Sequence, residues 1–512
     1  MHGATRRLAG GLGLLLLLFA WPLAAQAPLG AARDFRARHG HQILASFVEL
    51  LRLPNVAADR EGIERNAEWL QRELERRGVV VELWRLPDAS PIVFGVLDAP
   101  QARRTLGVYV HYDGQPVVPE RWKTPGPWTP TLYTAPVEAG GAARPLPGPG
   151  ERIDPEWYLY ARGSGDDRAP VAAILAALDA LDAAGIERTA NLRFLLEGEE
   201  EAGSPNLEEY LRKHREELQG IDGWLICDGP VHQSRRPQLV FGVRGYTGID
   251  LTVYGATRAL HSGHYGNWAP NPALELAHLL ASMKGADGRV LVHGFYDSTQ
   301  PPGEAERLAL DALPAIDDAL RRELGLARTE GEGATLAERL LLPSFNVRGM
   351  ESARVGAAAR NLIPTTATAS IDIRLVEGND PAVMLDRVEE HLRRLGYHLV
   401  REEPTHEQRL AHPRIVRVDR REGYPAAKTP MDDPFARWVA GVTRGATEEP
   451  LVLLPTLGGS LPLYLFREIL ETPLVVVPIA NHDDNQHAPD ENIRLANLWY
   501  GVDLMASLFA GE

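Results

Sequence analysis

Residues 105–114 read TLGVYVHYDG, an uncharged and largely apolar run that closes on a histidine and an aspartate. Its apolar part, Leu106 to Val110, has the composition of a buried strand. His111 and Asp113 follow at the point where that strand would end. Because ligands of open α/β sheets bind outside the carboxyl ends of the strands, this stretch predicts both a sheet and a site at its edge.

Four further acidic or histidine-bearing motifs follow strand-like runs. They are Gly165-Asp166-Asp167, Glu199-Glu200-Glu201, Cys227-Asp228-Gly229 and Asp484-Asn485-Gln486-His487. Each motif alone is ordinary, since surface loops and exposed charge runs often contain such residues. Their agreement on one predicted sheet edge is informative. The residue types suit two closely spaced divalent metals and one free carboxylate, which is the donor set of a metal-dependent hydrolase.

Strand and helix signals alternate through most of the chain. Apolar strand runs at 106–110, 192–196, 223–227 and 474–479 are separated by stretches with helical patterns. Buried apolar strands between helices predict an α/β domain with a mainly parallel sheet.

The middle of the chain has a different pattern. Residues 248–254 and 367–375 alternate apolar and polar side chains, as half-exposed antiparallel strands do. We therefore predict an α+β domain with an antiparallel sheet, inserted at 243–422 into a catalytic α/β domain formed by residues 28–242 and 423–512.

Composition limits the classes of function. The chain has 512 residues, 44% of them hydrophobic and 24% charged, as in folded soluble proteins. A net charge of −15 argues against a nucleic-acid partner, because phosphate binding requires a basic surface. The single cysteine, Cys227, excludes an intramolecular disulfide.

Residues 1–27 have the pattern of a signal peptide. A basic pair, an apolar run and small residues occur in that order, at Arg6 and Arg7, Leu8 to Ala20, and Ala24, Ala25 and Ala27. The alternative is an uncleaved membrane anchor, but the run is short and Pro22 interrupts it. We expect an exported bacterial protein, periplasmic or secreted, without a stable membrane span.

The combined motifs resemble those of carnosinase-like dipeptidases, in the di-metal peptidase family that also contains acetylornithine deacetylase, succinyl-diaminopimelate desuccinylase and glutamate carboxypeptidase. The resemblance covers nearly the whole chain after residue 27. One departure is Arg168, where the family usually has lysine. The matching segments are VYVHYDGQP, YARGSGDDRAP, FLLEGEEEAGS, LICDG, ALHSGHYG, NLIP with IDIRLV, LGGSLP and DDNQHAPDENI.

The resemblance implies two divalent ions per subunit, zinc or else manganese or cobalt. One ion would be held by His111 and Asp228 and the other by Glu201 and His487, with Asp166 bridging both. These are nitrogen and oxygen ligands that suit such ions.

The same resemblance assigns the catalytic groups. Glu200 would be the general base that takes a proton from a water between the metals. Asp113 would orient the imidazole of His111. The alignment of the glutamate triplet leaves Glu199 without a role, and a slip of one residue is the main alternative.

The inserted domain is expected to act as a lid and a dimerisation domain. By resemblance it supplies His261, often to the partner's active site, together with Arg374 as a clamp for a substrate carboxylate. Asn361 would also contact substrate, and Gly459 and Ser460 would offer donors to the same carboxylate. A homodimer is therefore expected.

The predicted function is hydrolysis of dipeptides or similar small peptides. An alternative enzyme is an N-acyl amino acid deacylase, because the same metals and base cleave either amide. An alternative of another class is a non-catalytic protein that binds metal or peptide.

Overall fold

The structure is a computed structural model that describes residues 12–331, 333–459 and 461–511, with side chains from residue 27 onward. The expected basic pair of the signal peptide and Ser460 lie outside these residues. The chain forms two compact units. The first unit is 1–241, 429–453 and 465–512, and the second is 242–428 with 454–464. The second unit thus contains residues 454–464, which the sequence analysis placed in the catalytic domain.

The first unit is built on an eight-stranded sheet. The four central neighbours, 190–197, 104–111, 223–226 and 474–476, are mutually parallel, and the outer strands pair antiparallel where their register is defined. In spatial order the strands are Val80–Trp84, Ile92–Leu97, Ala190–Glu197, Arg104–His111, Gly223–Ile226, Leu474–Val476, Gln238–Val240 and Val452–Leu454. The expected parallel core of an α/β sheet is confirmed, within a mixed sheet.

Tight packing between two strands of this sheet explains why residue 107 is a glycine. Gly107 lies opposite Trp224 on the neighbouring strand, and a Cβ at position 107 would lie 2.4 Å from the indole ring. Trp224 is fully buried. Any larger residue at 107 would separate the two strands that end at His111 and next to Asp228.

Helices cover this sheet, and Arg168–Ala183 and Leu495–Ala510 are almost entirely buried. A short loop separates the first two of these helices, Leu12–Leu51 and Arg60–Glu75. The helices of the first unit are Leu12–Leu51, Arg60–Glu75, Arg168–Ala183, Leu207–Lys213, Pro434–Ala446, Tyr464–Ile469 and Leu495–Ala510, with 3-10 turns at Pro119–Arg121, Val137–Ala139 and Glu200–Ala202. Within the described residues, no helix has the length and apolarity that a membrane span requires.

A four-stranded antiparallel sheet also belongs to the first unit. It consists of Asn492–Arg494, Tyr158–Tyr160, Thr131–Tyr133 and Ala143–Arg144. The Pro- and Gly-containing segment 116–155 therefore contributes two short strands to this sheet.

The second unit contains a five-stranded sheet. In spatial order its strands are Ser344–Glu351, Thr366–Leu375, Gly245–Tyr254, Ile415–Tyr424 and His398–Val400, antiparallel except for the last pair. Alternate residues of Thr366–Leu375, such as Ile371 and Ile373, are buried, whereas Arg374 lies on the opposite face. The expected antiparallel sheet of an α+β domain is confirmed.

Two helices pack on the buried face of that sheet, Pro272–Met283 and Pro381–Arg394. The second begins at Asp380, whose carboxylate accepts the amide of Val383 (2.9 Å), and proline occupies its first turn. Shorter helices are Ser262–Tyr265, Glu304–Asp311, Asp317–Glu323, Leu336–Leu340 and His406–Ala411, with a 3-10 turn at Gly356–Ala358. Two-stranded ribbons pair Gly242–Val243 with Ala427–Lys428 and Leu260–His261 with Leu362–Ile363.

Candidate metal centre

Asp166 lies between the two histidines of the predicted ligand set. Its Oδ1 is 2.9 Å from Nε2 of His111, and its Oδ2 is 3.1 Å from Nε2 of His487. The same His487 nitrogen is 3.2 Å from Oε2 of Glu201. Asp166 therefore presents one carboxylate oxygen to each side of the cluster.

Two groups of potential ligand atoms result from this arrangement. One contains His111, Asp167 and Asp228, and the other contains Asp166, Glu201 and His487; within each group the ligand atoms lie within 4.8 Å of one another. The structure thus brings together all five residues that were expected to hold metal, and it adds Asp167.

The glutamate triplet separates into three roles. Glu200 Oε2 is 4.0 Å from Nε2 of His111, beside the first group. Glu201 belongs to the second group. Glu199 instead accepts the amide of Ser90 (2.5 Å) and the side-chain amide of Asn206 (2.7 Å), so its carboxylate is used in local structure.

Asp113 lies directly behind this triplet and is fully buried. Its carboxylate accepts the backbone amides of Glu200 (3.1 Å) and Glu201 (3.0 Å). Its Oδ1 is also 3.4 Å from Nδ1 of His111, an ion-pair distance without an aligned hydrogen bond. Asp113 therefore fixes the turn that carries two site glutamates, in addition to facing the imidazole as expected.

Glu491 organises the loop that carries Asp166. Its carboxylate accepts the amides of Gly163, Gly165 and Asp166, each at 3.0 Å, and pairs with Arg162 at 2.6 Å. Every one of these bonds is buried. The hydrogen bonds of Glu491 therefore fix the backbone position of Asp166.

Burial and like charge perturb the carboxyl groups of the cluster. Burial raises the pKa of Asp228 to about 7, where Asp166 and Glu201 add to the effect and His111 opposes it. Burial also raises the pKa of Glu200 well above its usual value, with Asp228 and Glu201 acting in the same direction. For Asp166, the hydrogen bonds from His111 and His487 outweigh burial and hold the pKa well below the usual range.

The charges of this cluster indicate which kind of ligand its residues can bind. Two imidazoles and several carboxylates lie within a few ångströms of one another, buried around His111 and Asp228 and exposed at His487, and two of the carboxyl groups are driven towards the neutral form. A divalent cation among them would restore the ionised forms, and these nitrogen and oxygen donors suit zinc or manganese. The donor set therefore fits divalent metal ions.

Several residues of the centre had no role predicted from the sequence. Asp167 was part of a quoted motif but received no role; its Oδ2 is 3.3 Å from the amide of His111. Gln115 donates to Glu201 (2.7 Å) and Gln486 to Asp166 (2.9 Å). Gln115 and Gln486 both belong to quoted segments, which was the available signal. Glu491 also lies in a quoted segment, but nothing local indicated that its carboxylate binds main-chain amides.

The predicted substrate residues lie in the second unit. His261 is exposed, and its Nδ1 accepts the amide of Gly263 at 3.1 Å. Asn361 is adjacent, since its carbonyl accepts the amide of Ser262. Arg374 pairs with Asp372 at 3.4 Å and lies 5.4 Å from the Tyr246 ring.

Gly459 is held in the same unit, where its carbonyl accepts the amide of Arg244 at 3.2 Å. The structure brings His261 and Asn361 together on one ribbon. Ser460 is outside the described residues.

Known proteins resemble the chain over most of its length. The sequence model of peptidase family M20/M25/M40 matches residues 107–510. The Cys-Gly metallodipeptidase DUG1 of Candida albicans is 26% identical over 484 residues, which are 89% of this chain and 92% of the relative. The human Beta-Ala-His dipeptidase is 27% identical over 481 residues, which are 90% of this chain and 84% of the relative.

Solved structures agree with this result. The M20 family metallo-carboxypeptidase Sso-CP2 from Sulfolobus solfataricus superposes with a TM-score of 0.72 at 26% identity, covering 91% of this chain and 98% of that one. Human carnosine dipeptidase 1 has the same fold, with a TM-score of 0.67 at 23% identity over 94% of this chain and 98% of that one. The expectation of a metal-dependent peptidase related to carnosinases is confirmed, and the chain belongs to peptidase family M20/M25/M40.

Proposed function

We propose that this protein is a dipeptidase that hydrolyses the amide bond of dipeptides or similarly small peptides. The observation that carries the proposal is Glu200, a partly buried carboxylate beside His111 at the edge of the two groups of potential metal ligands. The two dipeptidases named above support the size of the substrate, because each is similar to about nine-tenths of this chain.

Glu200 is the general base of the proposed reaction. It removes a proton from the attacking water, and the water oxygen bonds to the scissile carbonyl carbon. The same carboxyl group then returns the proton to the leaving nitrogen as the carbon–nitrogen bond breaks. Asp113 keeps Glu200 in place through the backbone amide bond described above.

We assign two divalent ions to the centre, zinc first and manganese or cobalt second. Such ions supply Lewis acidity towards the scissile carbonyl and acidify water. Asp228 and His111 would hold one ion, and Glu201 and His487 the other. Asp166 has an oxygen facing each histidine, which supports its role as the bridge.

Arg374 is proposed to bind the carboxylate at the end of the substrate. Its guanidinium lies on the solvent-facing side of its strand, and planar guanidinium groups pair well with carboxylates. Asn361, Gly459 and Ser460 would contribute further polar contacts, and His261 would stabilise the oxyanion.

A substrate panel tests the function directly. Purified protein is assayed with zinc, manganese and cobalt against dipeptides, N-acyl amino acids and longer peptides, while its metal content is measured. Preference for dipeptides supports the proposal. Preference for N-acyl amino acids would identify a deacylase, and cleavage of longer peptides from the carboxyl end would identify a carboxypeptidase. Peptide recovered intact with bound metal would identify a binding protein.

Export and dimerisation are further parts of the proposal. The basic pair, apolar run and small residues at 1–27 support removal of a signal peptide. Amino-terminal sequencing of protein recovered outside the cytoplasm should start after Ala25 or Ala27. Light scattering should give twice the mass of the processed chain, and a fully active monomer would exclude a role for His261 in a partner's site.

A further inference from the structure

A cavity of about 480 Å³ lies within the second unit, and its lining includes none of the residues assigned above. Its walls come from helix Asp317–Glu323, the loop that follows it, helix Leu336–Leu340 and the start of strand Ser344–Glu351. Cavities that hold small molecules typically measure about 300–1,000 Å³. The size is therefore that of a small-molecule site.

The lining is apolar at both its base and its rim. Val290 and Phe345 are buried at the base. Leu324, Leu326 and Leu336 also line the cavity, yet they are 59%, 45% and 42% exposed. Neighbouring exposed leucines beside a cavity mark a binding surface, because a soluble protein gains nothing by leaving such a group in water.

The charges of the lining are unbalanced. Among the described residues of the lining, five are basic, Arg244, Lys284, Arg321, Arg328 and Arg339, and two are acidic, Asp317 and Glu330. Arg321 also pairs with Asp318, which is not part of the lining, at 3.5 Å. Both acids are already engaged. Glu330 pairs with Lys284 at 2.7 Å, and Asp317 accepts the amide of Leu336 at 2.6 Å. The described lining of the cavity therefore carries a net positive charge.

Arg244 is the most constrained of these cations, with 5% of its surface exposed. Its Nη2 donates to the carbonyl of Leu342 at 2.7 Å, whereas its buried Nε has no hydrogen-bond partner among the described residues. The carboxylate that acts on Arg244 electrostatically is Asp372, but Nε of Arg244 still has no hydrogen-bond partner among the described residues. A buried guanidinium with an unsatisfied N–H is unfavourable unless a ligand completes it.

Burial lowers the pKa of Arg244 to about 10, and the neighbouring guanidinium of Arg374 lowers it further while Asp372 opposes the change. Arg244 is still a cation at neutral pH. The wall of the cavity therefore keeps its positive charge under working conditions.

We propose that this cavity binds an amphipathic organic anion, a carboxylate attached to an apolar body of medium length. The carboxylate pairs with Arg244 and Arg339, and the apolar body covers the leucines of the rim. This site shares no residue with the metal centre.

Calorimetric titration of the full-length processed protein with sodium octanoate tests the proposal. We expect one saturable site per chain. Octylamine has a similar apolar body with the opposite charge, and acetate has the charge without the body; each should bind at least tenfold more weakly. Octanoate should also raise the unfolding temperature in proportion to its occupancy. Absence of saturable binding, or equal binding of octylamine, would overturn the proposal.

Variants of the lining locate the site. Arg339→Gln removes a cation and Leu324→Asp places a negative charge at the rim, and each should weaken octanoate binding at least tenfold. Arg244→Met should also weaken octanoate binding at least tenfold if the variant folds. The tests with Arg339→Gln and Leu324→Asp do not depend on the folding of that variant. Arg322→Gln is the matched control, because Arg322 lies on helix Asp317–Glu323 of the cavity wall, is exposed and is not part of the lining. Unchanged affinity in both Arg339→Gln and Leu324→Asp would exclude this cavity.

Discussion

The metal centre of the first unit and the charged cavity of the second unit both concentrate like charges in a buried place. In the metal centre the charges are carboxylates, and main-chain amides hold several of them from behind. Asp113 and Glu491 between them accept five such amides. In the cavity the charges are guanidinium groups on short helices and loops, and Arg244 keeps an unpaired Nε.

The two sites differ in how firmly the fold holds their charged side chains. Glu200, Glu201 and Asp228 follow the ends of parallel strands, whereas Asp166 follows a strand of the antiparallel four-stranded sheet and is held by Glu491. The cations of the cavity are on long side chains, of which Arg244 is buried and Lys284 and Arg321 are held in ion pairs. In both regions the excess charge of the side chains predicts that the ligand has the opposite charge. How firmly each charged side chain is held predicts how strongly its substitution affects function. The following experiments test this contrast, from the largest expected effect on turnover to the smallest.

Glu200→Gln should lower kcat by about 10²–10⁴-fold, because the amide cannot accept the proton of the attacking water. Metal content should stay unchanged, since Glu200 is not assigned as a ligand. Steady-state kinetics together with metal analysis check both statements. Retained turnover would refute the mechanism.

The matched control is Glu199→Gln, the same change one residue earlier. Glu199 accepts the bonds from Ser90 and Asn206, so its substitution should leave kcat nearly unchanged and lower the free energy of unfolding by about 1–3 kcal/mol. Loss of turnover in Glu199→Gln without loss of stability would shift the base by one residue.

Asp113→Asn should lower metal affinity and turnover by about 10–100-fold, as removal of a group that orients a metal ligand typically does. The amide nitrogen of asparagine would face donors that now bind a carboxylate oxygen. Competitive titration with a zinc chelator measures the affinity. Asp98→Asn is the control, because that carboxylate is exposed in a surface pair with Arg193.

Arg374→Gln should raise KM about tenfold or more for dipeptides with a free carboxylate and change kcat little, because a charge-assisted bond contributes about 1.5–3 kcal/mol. Dipeptides with an amidated carboxyl end should show no such increase. Arg348→Gln removes an exposed guanidinium on a neighbouring strand and serves as control. An equal rise for amidated substrates would exclude the carboxylate role.

Arg168→Lys should change kcat only a few-fold but lower the free energy of unfolding by about 1–3 kcal/mol. Arg168 is fully buried and donates to the carbonyls of Tyr112, Leu50 and Leu53 and to the side chain of Asn66. One ammonium nitrogen cannot reach all four acceptors. Denaturant unfolding measures the loss, and a tenfold fall in kcat would show that Arg168 also acts on the site.

Much of the metal centre was predictable because strand periodicity and strand ends are local properties of the chain. The apolar run before His111 and the run before Asp228 indicate neighbouring strands, and the structure pairs them in parallel. The assignment of Glu200 over Glu199 came from resemblance, and the contacts of Glu199 now supply a physical reason for it.

Other parts could not be read from local pattern. Glu491 lies more than three hundred residues from the amides that it accepts, and its sequence neighbourhood shows no sign of that role. The addition of 454–464 to the second unit depends on contacts such as that between Leu457 and Gly242. The cavity beside Arg244 likewise forms from segments that share no sequence signal.

Side-chain period and strand ends, which are encoded over short windows, predicted the α/β class and the inserted α+β domain, and the family resemblance predicted the residues that gather at the candidate metal centre. The folded structure separates the carboxylates that face the cluster from those that hold the backbone, because that difference depends on hydrogen bonds between distant segments. It also decided where unbalanced charge is buried, since neither burial nor the pairing of charges is a property of one stretch of chain.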